Sequence, residues 1–503
     1  MDSVIKTIIK EKKIIGRGSF GKIYHSQTYP NYIVKKMNKF HICNIEYICN
    51  NIKELWWHIV LSKINLNNVS TMKNYYIDCD YIYMLMKYNG TSIYDKINEI
   101  INIKDNEELK KQKHIELLKC IPNILFSCSK VLYCLHRCKM RHGDLTSSNI
   151  LINEKNEVSV IDWGSVIFNK VRTSLYNQCA IIFSPPELKH NEKNLFKNIP
   201  SIKNDIFSLG IVILNIIDIH SNCIDKFNKY KNKCEIYDVD YMNDEIEIIL
   251  NSTVKSEKYI SEILNERVFF LLKKMLEYNI ETRIDIETLY MDSFFLEFRK
   301  KDIFDKNVIY NFFKNTNHIC YPIDEYNNIL VISLYNFLKK YKETIHSTQY
   351  AKVFDSRIIF DISIKLFYNY KNKSGKIKNH INSYIICFLG CIKWTDTILN
   401  DDFTLKDLYI FYLELFNSLE SDFVKKSNLY IKNAIHIENN LHTENIHHLE
   451  PKLNFCDFCV SFDIIFFDIF KTMEEFIFSY PDIIDLNHSK ISFRELKNKL
   501  LIN

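Results

Sequence analysis

Glycine and proline are scarce in this chain, at 9 and 8 of 503 residues. The shortage comes with an excess of Ile, Asn, Lys and Tyr, and reads as the imprint of an AT-rich coding genome, not as chemistry. Net charge is nearly lacking too. The 66 basic and 61 acidic side chains leave +5, so no nucleic-acid footprint is implied and none is expected as a partner. No run of about 18 uninterrupted apolar residues is present, so no membrane span is expected. The N-terminal MDSVIKTIIKEKK lacks the long apolar core of a signal peptide. The 15 cysteines are scattered without a framework, and reduced thiols in an intracellular, cytoplasmic protein are the expectation. What remains, 47% hydrophobic and 25% charged, is globular composition, in a length that allows two or more domains.

The most informative stretch is RHGDLTSSNILINEKNEVSVIDWGSV, Arg141 to Val166. Asp144 and Asn149 sit five apart and are followed by the apolar pair Ile150-Leu151. Turn formers Asn153, Lys155 and Asn156 come next, then the β-rich run Val158 to Ile161. This pattern predicts a loop and a hairpin. A hairpin returns Asp162 to the neighbourhood of Asn149, so two oxygen ligands face one point, an arrangement suited to Mg²⁺. Asp144 lies beside them as a base for a hydroxyl proton. Nearer the N-terminus, IIGRGSFGKIY places Gly16, Gly18 and Gly21 in a G-x-G-x-x-G between two β-rich segments. No helix pattern follows, as a dinucleotide-binding unit would require.

The order His142-Gly143-Asp144, Asn149, a hairpin, then Asp162-Trp163-Gly164 resembles the catalytic and metal-binding loops of eukaryotic-type Ser/Thr protein kinases. The glycine loop, with Ile23 where the family has Val, fits the same order. So do the strand Tyr32-Ile33-Val34-Lys35, Ser184-Pro185-Pro186-Glu187, the run Asp205 to Gly210, and Arg283 as the partner of Glu187. The resemblance covers Ile14 to about Phe295 and implies a two-lobed α+β kinase domain over 1–300, acting with ATP and Mg²⁺ on Ser or Thr of a protein substrate. It implies that Gly16, Gly18, Gly21 and Ile23 cover the phosphates and that Lys35 holds the α/β-phosphates. It also implies that Glu54 (with Glu46 as the alternative) pairs with Lys35, that Met86 guards the adenine pocket beside backbone groups of Lys87 to Asn89, and that Asp144 receives the hydroxyl proton. Asn149 and Asp162 would hold the metal.

Three positions depart from the family. Gly143 stands where an arginine reads a loop phosphate, Thr146 where a lysine meets the γ-phosphate, and Ala180 where a threonine supports that lysine. Charge missing near the γ-phosphate lowers phosphoryl transfer, because that chemistry is mostly electrostatic. A pseudokinase scaffold is therefore the rival reading. The wording HGDLT-x-SN also resembles small atypical kinases locally.

Residues 301–324 read as a linker, and 325–460 as an all-helical domain of five apolar-periodic segments. Tyr384 to Asp396, YIICFLGCIKWTD, resembles the central cyclin-box helix, with Gly390 and Cys391 allowing close packing. By that resemblance Lys393 would face a kinase's regulatory helix, with Asn428 where cyclins place a glutamate. The resemblance implies an intramolecular cyclin-like regulator of a cyclin-dependent-kinase-like domain, a combination similar to proteins of large DNA viruses. Cys456 and Cys459, preceded by His436, His442, His447 and His448, give a zinc pattern too irregular to prefer over chance. Residues 461–503 read as a helical extension without a motif.

Overall fold

A computed structural model describes residues 3–18, 21–38, 51–64, 66–78, 80–138, 140–168, 183–185, 201–219, 258–302, 305–309, 328–346, 356–374, 381–399, 403–434 and 451–472, with a few isolated positions besides. The chain divides into two compact units. One takes in Met1–Lys39 and Lys53–Phe312, the other Phe40–Ile52 and Phe313–Asn503. The first unit therefore runs past residue 300, where the sequence reading ended the kinase-like domain. Lys130 pairs with Asp302 at 2.5 Å, and Arg137 Nε donates to Asn307 Oδ1 at 2.9 Å, which ties this stretch back onto the unit's central helix.

The first unit opens with α1 (Ser3–Lys10), which the sequence reading did not separate from the basic N-terminus. Five antiparallel strands follow: β1 (Ile14–Gly18), β2 (Gly21–His25), β3 (Tyr32–Asn38) and, after α2 (Ile52–Ile64), β4 (Met72–Ile77) and β5 (Tyr81–Lys87), in the order β1-β2-β3-β5-β4. Cross-strand partners share a face. Ile23, Lys35 and Met84 are partners in register, as are Ile33 and Met86. The other face carries Tyr24, Val34 and Leu85, with Lys36 opposite Tyr83. That second face packs on Ile5 and Ile8 of α1 and on a rim of tyrosines, and Lys36 lies 3.5 Å over the Tyr81 ring. The helix's apolar face decides which way Lys35 points, because it claims the opposite side of β3. Beyond α1, the Glu11 carboxylate accepts from Ser26 Oγ (2.6 Å) and Gln27 N (2.8 Å); hydroxyl hydrogen bonds, Ser26's foremost, hold its pKa down to about 2.

Ile8→Ala is expected to cost about 2–5 kcal/mol, since it empties a fully buried site between helix and sheet. Lys6→Ala on the exposed side should be near neutral. Denaturant unfolding of the two variants measures the difference, and equal midpoints would remove the packing role given to α1.

The rest of this unit is mainly helical. β6 (Thr91–Ser92), α3 (Ile93–Ile101) and the long α4 (Glu107–Arg137) lead to β7 (Met140–Arg141), β8 (Ile150–Ile152), β9 (Val158–Val160) and β10 (Ile167–Phe168). After these come α5 (Lys203–Ile217), α6 (Lys258–Ile263), α7 (Glu266–Met275), α8 (Ile286–Met291) and α9 (Leu296–Lys300). By length and composition α4 could cross a membrane, but it is largely buried as a core helix packed by α5, α6, α8, β7 and β9. Asn68, at φ 66°, clamps the chain before β4 onto β9: its carbonyl accepts from Val160 N (2.8 Å) and its Nδ2 donates to Val158 O (2.9 Å).

The second unit is all helical among its described residues: α10 (Asn328–His346), α11 (Ser356–Ser374), α12 (Ile381–Leu399), α13 (Leu405–Ala434) and α14 (Phe455–Thr472). The last two of the five apolar-periodic segments, beginning at Thr404 and Ser421, run together as one helix, α13, as far as Ala434, because nothing between them breaks it. The chain there is Asn417-Ser418-Leu419-Glu420, without Gly or Pro. The buried α12 packs on α11, α13 and α14. At Gly390 an added Cβ would lie 2.6 Å from Ile469 Cδ1 of α14, so the small residue does let a neighbour close in. Lys393 is fully buried, and its Nζ bonds Asp396 Oδ2 at 3.1 Å; the same oxygen accepts from Phe403 N at 2.9 Å. Asn428 lies on α13, with its side chain outside the described residues. Cys456 and Cys459 are free thiols at the start of α14. The histidines of the zinc pattern lie outside the described residues, and among the described residues no cluster of three metal-binding groups occurs.

Candidate active site

The loop-and-hairpin expectation holds in detail. Thr146 O accepts from Asn149 N (3.0 Å) in a short 3₁₀ turn, then β8 and β9 pair with Ile150 opposite Val160. Asn153 forms the turn, its Oδ1 accepting from Lys155 N and Glu157 N at 3.0 and 2.9 Å. Ile161 N then donates to Asn149 O at 3.0 Å, which brings Asp162 beside Asn149.

Asn149 Nδ2 donates to the Asp144 backbone carbonyl (2.8 Å) and to Asp144 Oδ2 (3.2 Å). Both amide protons are thereby directed at Asp144, and Oδ1 is the oxygen left for another partner. Asp162 adopts a left-handed backbone, φ 65° and ψ 79°, a conformation costing roughly 1–3 kcal/mol in a non-glycine residue and typical of functional sites. A hard carboxylate and an amide oxygen fit Mg²⁺ by donor chemistry.

Across from them, Lys35 Nζ lies 2.5 Å from Glu54 Oε1. Burial of Lys35 favours the neutral amine, but the charges of Asp162 and Glu54 outweigh it and raise the pKa. Burial likewise pushes Glu54 up; Lys35, and after it His58, outweigh this and hold the carboxyl down to about 2. Glu46, the alternative partner, lies outside the described residues. Gly18 pairs with Gly21 across the β1–β2 hairpin, whose tip residues Ser19 and Phe20 are likewise outside them. A Cβ at Gly21 would lie 2.2 Å from Lys36 O, so glycine is required there by backbone approach. Ile23 is in register with Lys35, and the buried Met86 with Ile33. At the hinge, Lys87 N and Tyr88 N are engaged by Thr71 O (3.1 Å) and Asn31 O (2.9 Å).

The structure gives supporting roles to groups that the motifs name without a role. Asp205, buried on α5, accepts from His142 N (2.7 Å), Gly143 N (3.0 Å) and His136 Nε2 (3.1 Å). His142 takes Asp144 N on Nδ1 (3.3 Å) and reaches Ile161 O through Nε2 (3.1 Å), so the imidazole spans both loops. Its ring meets that of Trp163 edge-on, with centroids 5.0 Å apart. The sequence signals for these roles are His136 and His142 flanking the turn at the end of α4, and Asp205 opening the run Asp205 to Gly210. Arg283 is buried, with Nε donating to Glu277 O at 2.9 Å; its expected partner Glu187, and Ala180, lie outside the described residues. Thr146 is buried with extended backbone.

Gly143 has φ +81°, and a Cβ there would sit 2.5 Å from Ser165 O. An arginine at this position is thus excluded by backbone geometry as well as missing. Gly143→Ala is expected to destabilise by at least about 2 kcal/mol, from the left-handed backbone and the collision together. An unchanged urea midpoint overturns that expectation.

Comparison with known proteins points one way. The profile of the protein kinase domain matches residues 9–295. The chain is similar to a probable serine/threonine-protein kinase of Dictyostelium discoideum, 28% identical over 284 residues, covering 54% of this chain and 36% of that protein. It is also similar to a glycogen synthase kinase-3 homolog of Saccharomyces cerevisiae, 27% identical over 337 residues, covering 59% and 80% of the two chains. A probable serine/threonine-protein kinase of Encephalitozoon cuniculi matches at 28% over 161 residues, 32% of this chain and 25% of that protein. The chain thus spans well under two thirds of the first and third of these relatives.

Proposed function

The chain belongs to the protein kinase domain family, and from that premise we propose that it transfers the γ-phosphate of ATP to serine or threonine hydroxyls of proteins. One observation carries the reading: the Lys35–Glu54 pair is closed while Asp162 and the Asn149–Asp144 unit are already assembled. The site does not need to be rebuilt before it can act. The serine/threonine kinases among its relatives support the choice of hydroxyl.

In this reading, ATP supplies the phosphoryl group and Mg²⁺ neutralises charge upon it. Lys35 binds the α/β-phosphates, and Glu54 keeps its ammonium in place. Backbone N–H groups of the Gly16–Gly21 hairpin cover the phosphates, Ile23 and Met86 border the nucleotide, and Asn149 Oδ1 with Asp162 holds the metal. Asp144 orients the substrate hydroxyl and takes its proton, held for that task by Asn149. Purified full-length chain, ATP–Mg²⁺ and a mixed protein substrate test this. Phosphoserine or phosphothreonine in the product supports it; ATP binding without any transfer turns the reading into a scaffold.

The helical unit, as a cyclin-like regulator acting in cis on a cyclin-dependent-kinase-like domain, is the finer part of the proposal. Its support is the likeness of Tyr384 to Asp396 to a central cyclin-box helix, and the place of that stretch in α12, which packs on α11, α13 and α14. A tethered unit acts at roughly millimolar effective concentration, enough for a weak interaction. A cytoplasmic setting and origin in a large DNA virus complete the reading. Low activity of residues 1–312, restored by adding 313–503, supports the regulator; full activity of 1–312 alone removes it.

A further inference from the structure

His58 lies one turn beyond Glu54 on α2 and is fully buried. Its Nε2 is 3.6 Å from Glu54 Oε1, the same oxygen that takes Lys35 Nζ. Neither ring nitrogen has a hydrogen bond among the described residues. Burying a polar ring without a hydrogen bond is costlier than burying a satisfied or apolar group, so leucine would fill the site more cheaply. Other groups close in on Glu54 as well. Lys35 approaches from β3, the charge of Asp162 acts on Lys35, and a Cβ at Gly164 would lie 3.6 Å from Glu54 Cβ.

We propose that His58 is a positioning residue for the phosphate-binding lysine, holding the Glu54 carboxylate toward Lys35 while Lys35 shares its protons with nucleotide. Lys35 has three donors, and once phosphate is present it is claimed by phosphate as well as by Glu54 and the charge of Asp162. As it turns toward phosphate, Glu54 becomes a buried carboxylate with a weakened partner, which is costly. A separation of 3.6 Å is just beyond hydrogen-bond range, so a shift of roughly 0.5 Å lets Nε2–H take up the oxygen that Lys35 releases. Unlike the three donors on Asp205, this imidazole supports the nucleotide half of the site.

The inference rests on the phosphotransfer reading, and its test separates the two. Full-length parent, His58→Leu and His58→Gln are compared with ATP varied at fixed protein substrate, alongside the ATP-induced rise in melting temperature. Leucine keeps apolar volume, while glutamine restores an N–H of similar reach. Expected for His58→Leu are a melting temperature no lower than the parent's, a KM for ATP raised about tenfold, a smaller ATP-induced shift and an unchanged KM for protein. His58→Gln should return to within about threefold of the parent. Leucine indistinguishable from the parent overturns the proposal, as does glutamine as impaired as leucine, which would make the role one of packing. Should leucine fail to fold, His58→Met takes its place. Should the parent transfer no phosphate, the ATP-induced shift alone decides, and it is the reading of the reaction that has failed.

Discussion

Asp162→Asn abolishes phosphoryl transfer, by about three orders of magnitude or more, and leaves the fold intact. Asparagine is among the few residues that accept a left-handed backbone, so φ 65° at this position survives the change. What is lost is one negative charge and a metal-ligating oxygen. Lys35, which feels Asp162 before any other charge, loses a balancing partner as well. Charge placement dominates phosphoryl transfer, and each factor of ten in rate is about 1.4 kcal/mol. Radiolabel transfer with matched melting curves measures this, and a rate within twofold of the parent would refute the assignment. Asp144→Asn should fall comparably, since it removes the proton acceptor while keeping an acceptor oxygen for Asn149.

Asp205→Asn is the second large effect, and it acts through the fold. One buried carboxylate receives two backbone N–H groups of the catalytic loop and the ring of His136. An amide there presents a donor of its own to donors, leaving at least one buried N–H unpaired. Removing one partner from such a network costs about 3–5 kcal/mol, and His142 and Gly143, released from it, no longer hold Asp144. Activity should therefore drop more than the folded fraction does. Burial pushes the Asp205 carboxyl up, but the His136 hydrogen bond and the neighbouring donors outweigh it, leaving the pKa lowered. Its stabilisation is thus fully present above the unfolded value of about 3.9 and is lost as pH falls below it. The variant's penalty should shrink over that acidic window, and a penalty independent of pH would contradict the role.

What could be read from the sequence was local. Asp144, Asn149 and Asp162 lie within nineteen residues joined by a hairpin, and turn chemistry alone returns one end to the other. Strand alternation puts Ile33 and Lys35 on one face of β3, and the family resemblance singles out Glu54, with Glu46 as the alternative, on the segment that forms α2. The run of helices after Asn328 is likewise written in residue type and period.

Tertiary structure decided what depends on partners distant in the chain. His142 and Asp205 are 63 residues apart, and no local pattern says that one carboxylate gathers the loop. Gly143 looks like a lost arginine until the approach of Ser165 O shows why no side chain fits. Ile5 and Ile8 are three residues apart in a basic tail until the far face of the sheet gives them something to cover. His58 is one more polar residue on a helix until its ring proves to be sealed beside the oxygen that Lys35 uses. Short-range geometry is set by backbone preference and periodicity, which a sequence displays. The environment of a buried charge is set by chain segments that meet only on folding.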